Sequence, residues 1–100
     1  MPAYVIVSVD IHDPQNYERY KSLAPASIAL YGGRYLTRAG RVEVLEGQFD
    51  PKRFVILEFP DMDRARAWHD SPEYAPALAL RNACAKSVMI LAEGLSAPVV

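Results

Sequence analysis

Residues 3–9 read AYVIVSV, a run of β-branched and aromatic side chains with no glycine or proline inside it, which is the composition of a strand. Along an extended chain Val5, Val7 and Val9 point one way while Tyr4, Ile6 and Ser8 point the other. A strand with water on one side alternates apolar with polar, and this one is apolar on both. Residues 54–60, FVILEFP, repeat the pattern: Val55, Leu57 and Phe59 share one face, Phe54, Ile56 and Glu58 the opposite one, and Pro60 stops the strand. A sheet built from these two strands needs cover on both faces.

Working outward, the first strand ends near His12, and Asp13 caps a helix opened by Pro14. Tyr17, Tyr20, Ala24, Ser27, Ile28 and Tyr31 then recur at steps of three and four, one apolar and phenol-bearing stripe. Pro25 is expected to kink or restart this helix, and Gly32-Gly33 to end it. A long extended segment over 34–47 follows, with a bulge or turn at Gly40, and FDPK at 49–52 is a turn. After the 54–60 strand, Asp61 or Asp63 caps a helix through Ala65 and Trp68. Ser71-Pro72-Glu73 opens a second piece running to about Ala85, and 87–92 is a last strand ended by Gly94. The order strand, helix, strand, strand, broken helix, strand is the ferredoxin-like split βαβ plan of an α+β protein, a four-stranded antiparallel sheet with its helices on one face. Residues 1–95 are read as one domain and 96–100 as a C-terminal tail.

Two helical segments cover only one face. Leaving Tyr4, Ile6, Phe54 and Ile56 in water forgoes roughly 1.5–3 kcal/mol for each side chain, a total comparable with the whole stability of a small domain. The expected partner is therefore a second copy of the chain, two sheets packing face to face about a two-fold axis. Ser8 and Glu58 would then line a pocket.

With 51% hydrophobic residues the chain is an ordered globular protein, and its net charge of −1 gives no general attraction to nucleic acid or to an anionic membrane. The first apolar run has no basic leader and ends at Asp10, too short for a span, so the expected location is cytoplasmic. Cys84 is the only cysteine, which excludes an internal disulfide and a thiolate metal cluster, and it is read as a buried helix residue. Asp10, His12 and His69 lack the tight spacing of a metal site, Gly32-Gly33 follows a helix rather than opening one after a strand, and no histidine falls on an inward strand face. No metal, nucleotide or haem is expected.

The sequences GGRYLTR (32–38), LEG (45–47), EFP (58–60), ARAW (65–68) and SPEY (71–74), together with Arg81, resemble the family known as domain of unknown function 1330, over nearly the whole chain. The resemblance implies a dimeric α/β barrel, a fold whose members include cofactor-free monooxygenases, haem peroxidases, lactone isomerases and plain ligand binders. His69 stands where the family usually has tyrosine.

Within HDSPEY (69–74), Ser71, Pro72 and Glu73 are helix punctuation. His69 is a candidate proton carrier near neutral pH. Arg38 and Glu58 form the sharper pair, since a carboxylate beside Phe54 and Ile56 needs a partner and an arginine on the neighbouring strand offers a two-pronged one. Arg38 would hold a substrate carboxylate or enolate and Glu58 would act as general base, with Ser8, Tyr20, Tyr35 and Tyr74 as ligand-binding neighbours. Two functions fit: a homodimer binding a small organic molecule with cofactor-free acid–base or monooxygenase-type chemistry, or a non-catalytic dimeric module in which Arg38 and Glu58 neutralise one another.

Overall fold

The computed structural model of the protein describes residues 1–96, so the predicted tail lies outside the described residues apart from Ser96. The elements are β1 (Ala3–Ile11), α1 (Pro14–Leu30), β2 (Arg34–Arg38), β3 (Arg53–Phe59), α2 (Met62–His69), α3 (Ala75–Cys84) and β4 (Ala85–Glu93). The sheet order is β2-β3-β1-β4, with every neighbouring pair antiparallel. This is the expected ferredoxin-like α+β arrangement. Its shortest extent is 16 Å, room for one helix layer on one sheet.

Side chains meet in rows across the sheet because the register pairs Val9 with Arg53 and Ser87, Val7 with Val55 and Met89, and Val5 with Leu57 and Leu91. These rows face the helices, and Val5, Val7, Val9, Val55, Leu57 and Phe59 are buried there with Ala24, Ile28, Ala65, Trp68 and Ala77. Trp68 is the keystone. It is 1% exposed, its indole N–H donates to Ser27 Oγ at 3.1 Å, and its ring lies 4.2 Å from that of Tyr74 and 5.3 Å from that of Phe59. Among the described residues no helix covers the opposite face, where Leu36, Val88 and Ile90 remain exposed beside the half-buried Ile6, Phe54 and Ile56.

Caps follow the expected chemistry. Asp13 accepts from Asn16 N–H at 3.2 Å and Asp61 from Arg64 N–H at 2.7 Å. Gly32 ends α1 at φ +79°, and a Cβ on Gly33 would stand 2.6 Å from the Phe59 ring, so glycine is what lets the chain turn so close to the core.

Three local expectations are corrected. Pro25 does not break α1, which runs unbroken to Leu30; the carbonyl that a proline here leaves free is that of Lys21, and Arg38 Nη2 donates to that oxygen at 3.4 Å. The extended segment stops at Arg38, where Ala39 turns at φ 56° and its N–H reaches Phe54 O at 2.9 Å; residues 39–52 form no strand, since that left-handed turn takes the chain out of the β2–β3 ladder. Finally, α3 starts at Ala75 rather than at Pro72: Ser71 Oγ accepts from Tyr74 N–H at 3.0 Å and donates to Trp68 O at 2.7 Å, a side-chain turn that links α2 to α3.

Candidate functional site

β2 carries an irregularity that rearranges the expected site. Arg34 pairs with Glu58 and Tyr35 with Leu57, but the register then shifts, so that Thr37 pairs with Ile56 and Arg38 with Val55. One extra residue on the bulged strand reverses the alternation beyond it. Arg38 therefore projects to the helix side with Tyr35, its guanidinium 4.7 Å from that ring centre, while Glu58 stays on the open face. The Arg38–Glu58 pair does not form. Glu58 is bound instead by Arg34, through Nε at 2.7 Å and Nη2 at 2.6 Å.

Ser8 also lies on the open face, beside Phe54 and Val88 in a shallow hollow. His69 closes α2 with its side chain 45% exposed and Nδ1 3.5 Å from Asp70. Neither meets the arginines. Tyr20, Tyr35 and Tyr74 do converge, on the helix side.

There a cavity of about 30 Å³ lies between α1 and the sheet, floored by Val7, Val9, Val55 and Leu57 and walled by Tyr17, Tyr20, Tyr35, Arg38 and Arg53. None of the described residues lining it is a carboxylate. Arg53 Nε is buried with no hydrogen-bond partner, and its guanidinium lies 5.6 Å from the Tyr17 ring centre. Behind Tyr20 the hydroxyls of Tyr20 and Tyr74 are 2.9 Å apart, and Arg81 Nη1 donates to Tyr74 at 3.2 Å. Arg81 is 5% exposed, its Nε has no partner, and it forms no ion pair among the described residues.

Burial holds all four phenols, Tyr17, Tyr20, Tyr35 and Tyr74, above the ordinary tyrosine range. The guanidiniums pull the other way, Arg53 and Arg81 on Tyr17 and Arg38 on Tyr35 for instance, and do not offset it. The phenols are therefore neutral donors at physiological pH. Arg81 donates to Tyr74, and either hydroxyl of the Tyr20–Tyr74 contact can be its donor; when Tyr74 donates, the Tyr20 proton is left for whatever enters the cavity. The chemistry on offer is hydrogen-bond donation and positive charge, with no base among the described lining residues.

A family model matches residues 2–95. The chain belongs to the family described as Domain of unknown function (DUF1330). No curated protein has a sequence that matches it. Among solved structures, this DUF1330 chain is similar to a protein of unknown function from Rhodopseudomonas palustris, at 17% identity and TM-score 0.77 over 96% of this chain and 84% of that one. It is similar to SnoaB, a cofactor-independent oxygenase from Streptomyces nogalater, at 16% identity and TM-score 0.66 over 96% and 95%. A dimeric ferredoxin-like protein of unknown function from Jannaschia resembles it at 15% identity and TM-score 0.65 over 94% and 100%. These likenesses establish the fold.

Arg53 and Arg81 were given no site role from the sequence, where Arg81 counted only toward the family resemblance, although a signal was there. Arg53 alternates with Val55, Leu57 and Phe59, and Arg81 falls on the buried α3 stripe with Ala77 and Cys84 at helical spacing. Each is a charge on an apolar face of the DUF1330 fold.

Proposed function

We propose that the protein is a cytoplasmic homodimer that binds a small organic anion between its helices and its sheet, with Arg53 and Tyr20 on the anionic oxygens and Arg38 at the mouth. One observation carries the reading: Arg53 Nε, a buried donor without a partner, belongs to a guanidinium lining a carboxylate-free cavity. A buried guanidinium N–H left unpaired is costly even on a half-buried side chain, and an anionic ligand supplies the missing acceptor. With no base in the wall, the ligand enters already ionised, as a carboxylate or an enolate. Donors aimed at one oxyanion hold the charge that such a ligand already carries, and cofactor-free oxygenase chemistry would start from that bound anion. The Streptomyces oxygenase of the same fold makes that chemistry the first to assay. A purely binding role is favoured by the cavity size, since about 30 Å³ admits a carboxylate head or an ordered water and little more.

The homodimer is supported by the uncovered apolar face with Leu36, Val88 and Ile90 and by two similar proteins described as dimeric. Titration calorimetry with benzoate and hexanoate on the wild type, Arg53→Met and Tyr20→Phe tests the site. Binding that Arg53→Met weakens at least tenfold supports the proposal, and no heat from either acid overturns it. Sedimentation of wild type and Ile90→Lys tests assembly: a wild-type dimer and a variant monomer are expected, and a wild-type monomer at micromolar concentration refutes it.

A further inference from the structure

The helix side of the sheet holds a second hollow. It measures about 210 Å³, lies between α2 and β4, and is lined mainly by apolar side chains, Val5, Ala65, Trp68, Met89 and Leu91 among them, together with Arg66, His69 and Asp70 from the end of α2. Trp68 and Met89 also line the smaller cavity. The two spaces are therefore neighbours across a wall of two side chains.

Only one of those side chains is fixed. Trp68 is held by the Ser27 hydrogen bond and by Phe59 and Tyr74. Met89 is half-buried, on a strand whose outer edge is unpaired in the sheet, and its unbranched thioether adapts to irregular space. The polar cavity takes a head group and no body, and the neighbouring hollow is apolar and large enough for one: an apolar cavity of about 150 Å³ accepts a benzene ring.

Resting on the anion-binding reading, we infer that the two spaces form one composite site for an amphiphilic monocarboxylate, its head on Arg53 and Tyr20 and its alkyl or aryl tail of about six to eight carbons passing Met89 into the hollow walled by Ala65, Trp68 and Leu91. Met89 is the residue that sets specificity for tail length.

Calorimetry with acetate, butanoate, hexanoate and octanoate tests this on the wild type, Met89→Ala, Leu91→Phe, Arg53→Met and Arg66→Ala. The expected result is an affinity rising from butanoate to octanoate by up to about fourfold per methylene. Leu91→Phe flattens that rise, Met89→Ala steepens it, and Arg53→Met weakens every acid alike. If Leu91→Phe folds poorly, Met89→Ala alone still decides the tail path. Arg53-dependent binding with no gain from chain length overturns the composite site and leaves the anion reading standing. A gain with chain length that depends on Arg66 and not on Arg53 overturns the head assignment and the anion reading with it, and so does the absence of binding by all four acids.

Discussion

Arg81→Met exchanges a buried guanidinium for a thioether of similar length, and the structure fixes the sign of its effect. On the debit side, the variant loses one charge-assisted hydrogen bond, the 3.2 Å contact from Nη1 to Tyr74, worth about 1.5–3 kcal/mol. The guanidinium also stands 6.0 Å from the Tyr20 ring centre, at the limit of a cation–π contact worth about 0.5 kcal/mol. Tyr74 is not orphaned, since Tyr20 remains 2.9 Å away. On the other side, holding a charge at 5% exposure without an ion-pair partner among the described residues costs several kcal/mol of lost hydration. A stabilisation of about 1–2 kcal/mol is expected, which for a domain of this size raises Tm by about 4–8 °C per kcal/mol. Urea unfolding at one fixed protein concentration, with the midpoint and slope fitted together, measures it. Carboxylate affinity should fall in the same variant, because a positive charge 6.0 Å from the Tyr20 ring centre is lost beside the cavity. A variant destabilised by more than about 1 kcal/mol with unchanged slope and unchanged ligand binding would show that Arg81 is there for the fold, and the argument from uncompensated charge would fail.

Gly33→Ala places a Cβ 2.6 Å from the Phe59 ring and 2.8 Å from Ile28, an overpacking expected to cost about 1–3 kcal/mol; thermal unfolding no different from wild type would contradict it. Glu58→Gln removes a pair whose Arg34 side chain is 71% exposed, so stability should move by less than about 1 kcal/mol and carboxylate affinity not at all; a loss of binding in calorimetry would return Glu58 to the site. Spectrophotometric titration should find Tyr17, Tyr20, Tyr35 and Tyr74 ionising above the ordinary phenol range, as burial dictates. Because the folded state holds those protons more tightly than the unfolded one, stability is fully present below about pH 10 and is lost as pH rises through the folded values; a protein whose denaturation midpoint is unchanged well above pH 10 would refute the burial argument.

The two-faced apolarity of AYVIVSV and FVILEFP made the sheet, and which residues share a face, readable from the chain alone, because alternation is a local property of each strand. The site was legible only in part. Tyr20, Tyr35 and Tyr74 were named and do converge, but the partner chosen for Arg38 was wrong. Simple alternation along RYLTR puts Arg34 and Arg38 on one face, and the bulge that separates them is specified by pairing with β3 rather than by any residue type in β2. Pro25 misled for a similar reason: the donor that satisfies Lys21 comes from Arg38, seventeen positions later and on another element. The alternating VEVLE stretch looked like strand and is not, since the left-handed turn at Ala39 has already taken the chain out of its ladder with β3.

The shift between Tyr35 and Arg38 makes strand pairing itself a carrier of information. Deleting the extra residue would restore a regular ladder and leave Arg38 opposite Val55 on the helix side, whereas pairing all five residues of β2 without the bulge would carry its guanidinium to the opposite surface. Which face a guanidinium takes there is thus read from the ladder pairing and not from the spacing of residues along β2.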